Sequence, residues 1–246
     1  IKPNLNFQKI NNYQPSSIAN GISLIFNPLY NYSNYDGEVS EIAAIDYYSK
    51  NGKQDLAIEM ADKYLKINAN DLPKNRSRAL VLKGNMLYNK GQTKDSAFNA
   101  IQFNQAYSLF SEASNIYPSN GDAWIGMGVI AWTNGDFNTG LLNMKKAIEN
   151  DPDNVMAYVY SAELLGIMAT QNPGLGAKYN QEVEKFLAKA IKIAPGDPVI
   201  SARYGIILGV NNKCDEAVEI LENFIDHPSL NPQDAEAAKR IYMNCK

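Results

Sequence analysis

The feature that most constrains this chain is a recurring order of small and bulky residues, clearest between Asp122 and Pro152. The stretch DAWIGMGVIAWTNGDFNTGLLNMKKAIENDP places Trp124, Met127, Gly128 and Ala131 in one apolar-periodic run and Gly140, Met144, Ala147 and Pro152 in or after a second. Asn134-Gly135-Asp136 separates the runs with turn chemistry. Gly128 and Gly140 are expected where two antiparallel helices cross, with Trp124 and Met144 filling the space beside them. Pro152 stops the second helix, because proline breaks the hydrogen-bond ladder of a helix interior. The same order returns along the chain. A unit opening at Val155 carries Tyr158, Ala162 and Leu165, then Leu187, Ala190 and Pro195. One opening near Pro198 carries Ser201, Tyr204, Gly205 and Leu208, then Ala217, Leu221 and Phe224. Upstream, Leu80, Gly84 and Leu87 pair with Ala106, Phe110, Ala113 and Pro118. The faintest copy is Ser40–Asn70, which has Ala44, Tyr48 and Ala57 but lacks the Gly and the Pro.

Over about four-fifths of its length the chain resembles the tetratricopeptide repeat family. The resemblance implies an all-α, right-handed solenoid of about five helix pairs, because a single repeat cannot bury its apolar face alone. The pairs are expected over 38–76, 77–120, 121–154, 155–197 and 198–231, with a capping helix over 232–246 and an irregular, non-repeat arm over 1–37. It also implies a binding mode, since in the family the first helix of each repeat lines a concave groove. Carried over by position, the groove residues are Asn85, Tyr88 and Asn89, then Ile125, Val129, Trp132 and Thr133. Val159 and Glu163 follow, then Ala202 and Ile206, with Arg203 at the edge. Amides suit a peptide backbone and aromatics supply contact area. The competing reading of Trp132 and Val129 is inter-helix core. A clamp for a terminal carboxylate, as in chaperone-tail binders, is not expected. Val81 and Gly126 stand at two clamp positions and only Asn85 matches.

Helices are expected over Glu38–Asn51, Lys53–Asn68 and Arg76–Asn89, with Leu72–Asn75 as a loop. Two stretches exceed the repeat length. Gly91 to Pro118 is about ten residues too long and reads as one helix lengthened by roughly three turns, since Ala97, Phe98, Ile101, Ala106 and Phe110 mostly keep helical spacing. Thr170–Lys178, about nine residues over, holds Pro173, Gly174 and Gly176 and reads as a loop on one rim, where function often sits. Asn231 to Lys246 reads as the capping helix, with Ala235, Ala238, Ile241 and Tyr242 on one face. The Asn- and Tyr-rich arm is expected to be extended, anchored by Ile22–Phe26 in its own groove or a neighbour's, which offers a route to homo-oligomers.

Composition excludes several classes. A net charge of −3 argues against a nucleic-acid partner, which needs clustered Lys and Arg. No apolar run is long enough to span a membrane. Two cysteines and one histidine cannot form a zinc cluster, so neither metal nor cofactor is implied. Gly174-Leu175-Gly176-Ala177-Lys178 lacks the full phosphate-loop spacing, and Tyr179 stands where a hydroxyl ligand of magnesium belongs. His227 has neither nucleophile nor metal partner in sequence, and the inner-face carboxylates Asp46 and Glu163 fall in repeats too far apart to flank one bond. No catalytic residue is assigned.

In the repeat stacking that the resemblance implies, the capping helix runs antiparallel to the preceding second helix, which brings Cys245 to the start of that helix at Cys214. A bridge between them points to an oxidising compartment, so a periplasmic or secreted location. Two free thiols and a cytoplasmic location are the alternative. The chain opens on Ile1 without Met or a visible signal peptide, and this is read as a processed or trimmed start. The leading functional expectation is a non-catalytic interaction scaffold that holds a peptide segment or partner helix. One alternative is an envelope assembly factor similar to small periplasmic repeat lipoproteins. Another is a glycan or small-molecule binder, hinted at by the Tyr and Trp content.

Overall fold

The computed structural model describes residues 40–92 and 96–246. The arm over 1–37 and its proposed anchor Ile22–Phe26 lie outside the described residues, as do the side chains of Ala97 and Phe98. The described residues form eleven α-helices and no strand, and they divide into two compact units at Asn154 and Val155. The first unit holds α1 (Ser40–Lys50), α2 (Gln54–Ile67), α3 (Pro73–Lys90), α4 (Ser96–Ile116), α5 (Gly121–Thr133) and α6 (Phe137–Asn150). The second holds α7 (Val155–Gln171), α8 (Gly176–Ile193), α9 (Pro198–Val210), α10 (Cys214–Phe224) and α11 (Pro232–Cys245).

Within each unit consecutive helices pair as antiparallel hairpins, and the two helices of a pair are buried differently. Second helices bury one stripe. In α6 it is Gly140, Asn143, Met144 and Ala147; in α8 it is Val183, Leu187 and Ala190. These are the i, i+3, i+4 and i+7 positions of an amphipathic helix. First helices are buried around most of their circumference: α5 buries Ile125 through Trp132, and α7 buries Ala157 through Ile167. That difference explains why the first-helix segments read as nearly unbroken apolar runs.

The repeating glycines mark the hairpin crossings. A Cβ at Gly128 would stand 2.9 Å from Met144 Cε and 3.1 Å from the Gly140 carbonyl oxygen. At Gly84 it would meet Phe110 at 2.7 Å, and at Gly205 it would meet Leu221 at 2.7 Å. Three hairpins thus use the same device of a glycine on the first helix facing a large residue on the second. Trp124 is only half-buried; its indole N–H donates to the Pro118 carbonyl at 2.9 Å and Lys146 lies over its ring.

Three hairpin turns are also alike. Lys53 N–H donates to Tyr48 O, Asp136 N–H to Ala131 O and Lys213 N–H to Leu208 O, at 2.9 to 3.0 Å. The preceding residue is left-handed each time: Gly52, Gly135 and Asn212, with φ of 74°, 79° and 61°. This is the helix-ending arrangement in which glycine is favoured and asparagine tolerated. Pro118, Pro152 and Pro195 follow the ends of α4, α6 and α8.

Three expectations are corrected. Pro73, Lys74 and Asn75 are not a loop but the first turn of α3, because proline at the first helical position has no needed N–H to lose. The described part of α4 is 21 residues against 14 in α6, and residues 93–95 ahead of it lie outside the described residues. Thr170–Lys178 is not a loop: α7 runs on to Gln171, Pro173–Leu175 form one 3-10 turn, and α8 starts at Gly176. The buried face of α11 is Asp234, Ala237 and Ala238, whereas Ala235, Ile241 and Tyr242 are half-exposed. Ile241 nevertheless packs on Gly209, where an added Cβ would collide with its Cγ2.

Candidate functional site

In the first unit the residues singled out by position divide by exposure. Asn85 and Asn89 on α3 are half-exposed, as is Thr133 at the end of α5. Tyr88, Ile125, Val129 and Trp132 are buried, Trp132 to 8% exposure. Tyr88 stacks at 5.2 Å from Phe103, and its hydroxyl lies 3.0 Å from Thr133 Oγ1. Thr133 gives its one hydroxyl proton to Val129 O at 2.9 Å, so Tyr88 is the donor in that contact. Burial pushes the Tyr88 phenol above its ordinary range. The α3 face therefore offers solvent two amides over a packed aromatic floor.

The other end of α3 is tied to its neighbours by polar contacts that the repeat pattern does not reveal. Ser77 Oγ donates to Ala113 O at 2.9 Å and accepts from Asn120 Nδ2 at 2.9 Å, joining α3 to the end of α4. The Arg78 guanidinium, almost fully buried, faces Asp122 at 3.5 Å and Asp46 at 4.0 Å. Asp46 is also paired with Lys50.

In the second unit Val159, Glu163 and Ala202 are buried, Arg203 is nearly so, and Ile206 is half-exposed. Glu163 belongs to a charge cluster drawn from three helices. Arg203 on α9 donates from Nη1 to Glu163 Oε1 on α7, and from Nε to Asp234 Oδ2 on α11 at 3.0 Å. Asn231 Nδ2 donates to the same Asp234 oxygen at 2.9 Å. Glu163 Oε2 and Asp234 Oδ1 are buried without a hydrogen-bond partner among the described residues. Two carboxylates thus share one guanidinium out of water. Burial pushes the Glu163 carboxyl up to about 7 against the pull of Arg203, and burial raises Asp234 as well. Asp234 escaped the sequence reading, although Asn231 three residues earlier caps α11 by accepting from the Gln233 and Asp234 N–H groups.

At the other end of α11, Cys245 is bonded to Cys214, 31 positions away in sequence, with Cα atoms 5.0 Å apart. The helix is therefore held at its start by Arg203 and near its end by a covalent bond. His227 is exposed between α10 and α11, its Nδ1 accepting from the Ser229 N–H at 3.2 Å. Among the described residues no group of three His, Cys, Asp or Glu is placed to hold a metal ion, and no helix is long and apolar enough to cross a membrane. The second unit also carries a cleft of about 860 Å³. One wall is the α7–α8 junction with the first turns of α8, and the other is the α9–α10 turn.

The sequence matches no family model and no curated protein. Solved structures do match. TTC0263, a thermophilic TPR protein in Thermus thermophilus, is 15% identical, with a TM-score of 0.53 over 83% of this chain and 96% of its own. The MamA protein is 16% identical, with a TM-score of 0.51 over 78% of this chain and 96% of its own. A MamA fragment from Desulfovibrio magneticus RS-1 is 13% identical, with a TM-score of 0.50 over 77% and 96%.

Proposed function

We propose, from the premise that this chain has the fold of the tetratricopeptide-repeat proteins, that it is a non-catalytic scaffold that holds a peptide segment or partner helix against its first-helix faces. The observation that carries this reading is the α3 face: the amides of Asn85 and Asn89 are reachable, and the Tyr88–Thr133 contact fixes the surface beneath them. An amide pairs with a peptide unit as donor and acceptor at once, and a rigid floor lowers the ordering cost of binding. Within the first unit Ile125, Val129 and Trp132 would then support that surface from behind. In the second unit, taken by itself, Val159 and Glu163 would lie behind the first-helix faces of α7 and α9, with Arg203 at their edge. The test is selection of binders from a displayed random peptide library on the full chain, followed by titration against Asn85→Ala/Asn89→Ala. A loss of about tenfold in affinity with an unchanged circular dichroism spectrum is expected for two amide contacts. Equal affinity for both proteins would defeat the reading.

A specific observation favours an envelope setting for this scaffold. The Cys214–Cys245 bond persists in oxidising compartments and is rare in reducing ones. A periplasmic or secreted assembly factor therefore fits better than a cytoplasmic one. Trapping thiols in intact cells of the source organism would decide it: two alkylated cysteines in the native protein would place it in a reducing compartment.

A further inference from the structure

The excess residues in the fourth helix pair do something other than build core. α7 has 17 residues against 13 in α5, and α8 has 18 against 14 in α6. The added turns are mostly at the surface: Gln171 to Leu175, Ala177, Lys178 and Gln181 are all exposed. Ordering exposed residues costs conformational entropy with no burial to offset it. Their evident product is a wall of the 860 Å³ cleft. The opposite side of that cleft is pinned. Asn211 Nδ2 donates to Asn180 O at 3.2 Å and to Glu184 Oε2 at 2.8 Å, and Lys213 Nζ donates to Glu184 Oε1 at 2.6 Å. Between Asn211 and Lys213, Asn212 sits in the left-handed region at φ 61°.

We propose that this cleft is a second binding site, outside the first-helix faces, for an extended and uncharged polypeptide segment. The side-chain amides of Asn180 and Gln181 on one wall and Asn212 on the other make no hydrogen bond to another described residue, so each keeps a donor and an acceptor free. That is the complement of a peptide unit, which also presents one of each. Charge in the cleft is already balanced, since Glu184 is held by Lys213, and Lys185 by Glu182. An ionic ligand would compete with those pairs. The apolar lining is small, as at Ala169, Ala177 and Val210, and leaves room for a main chain. Among the described residues no aromatic ring lines it, so none of them offers a surface on which a sugar face would stack. The volume lies within the roughly 300–1,000 Å³ of ligand sites, and the pinned wall is ordered before binding.

The test uses a displayed library of random dodecapeptides panned on the full-length Asn85→Ala/Asn89→Ala protein, which removes the α3 amides and leaves the cleft intact. Binders rich in small, uncharged residues are expected. They should be lost on Ala177→Trp, an exposed position whose new ring fills the cleft. They should weaken about three- to tenfold on Gln181→Ala and on Asn212→Gly, the second of which suits a left-handed residue and removes only the amide. Binders indifferent to all three changes, or no binders at all, would overturn the cleft assignment. So would capture of glycans on an array, abolished by Ala177→Trp, with no peptide captured. Failure of the α3 reading alone looks different: peptides selected on the parent chain would then ignore Asn85 and Asn89 yet still respond to Ala177→Trp.

Discussion

Replacing Glu163 by Gln should stabilise the protein above neutral pH and do nothing favourable below pH 5. The cluster of Glu163, Arg203 and Asp234 carries one more carboxylate than guanidinium, and all three groups are largely out of water. Burial raises the folded-state pKa of Glu163 from 4.5 to about 7. A raised carboxyl pKa means that the folded state binds the proton more tightly than the unfolded state. Its contribution is then fully present below pH 4.5 and is lost as pH rises through about 7. At about 1.4 kcal/mol per pH unit, the gap corresponds to a loss of about 3 kcal/mol by pH 8. Glutamine keeps the shape and the contact with Arg203 but removes the excess charge, leaving Arg203 and Asp234 as a neutral pair. For a chain of this size that is a rise of roughly 5–10 °C in Tm at pH 8. Calorimetric melts of parent and variant between pH 4 and 9 test this. The two curves should meet near pH 4, draw apart between about 4.5 and 7, and run parallel above that; a variant that melts lower than the parent at pH 8, or a constant offset across the whole range, would refute the reasoning.

Reduction of Cys214–Cys245, or its replacement by a pair of serines, should cost about 4 kcal/mol in the chain-entropy view, read as a lower Tm under a phosphine reductant. An unchanged Tm would mean that α11 docks without the bond. Gly128→Val should destabilise by about 1–3 kcal/mol, because the added atoms meet Met144 and the Gly140 carbonyl oxygen, and backbone cannot move aside as a side-chain tip can; denaturant midpoints check it. Trp132→Ala should cost about 3–5 kcal/mol, as for a buried aromatic, whereas Tyr88→Phe should cost about 1–2 kcal/mol, because it keeps the ring and loses the hydroxyl contacts to Thr133 and Gln92. Urea unfolding that ranks them in the reverse order would contradict the placement of Trp132 in packed surroundings.

The helix pairs were readable because each is specified locally. A glycine and its large partner lie 16 positions apart at Gly128 and Met144, and the turn between them is spelled by Asn134-Gly135-Asp136. Asn212 shows the limit of such reading, since it takes the left-handed place that glycine holds at residues 52 and 135. Proline and glycine also misled. Pro73 and Pro173 look like loop residues in sequence, yet each opens a helical turn, and Gly176 is helical with open space around it beyond the Ala169 carbonyl at 3.5 Å. The site was less legible for a physical reason. A position in a repeat fixes the direction of a side chain, not what covers it, so Asn85 and Trp132 were grouped although one is half-exposed and the other buried. The Glu163–Arg203–Asp234 cluster and the walls of the cleft join residues about 30 to 40 positions apart, and no local pattern marks such pairings.

The central claim is that the α3 face receives a polypeptide. Its most direct test is the set of side-chain amide shifts of the nitrogen-15-labelled full chain, recorded while a library-selected peptide is titrated in. The account predicts saturable shifts at the Asn85 and Asn89 side-chain amides, with little change at the indole of buried Trp132. Saturable binding that leaves both asparagines unmoved would contradict it.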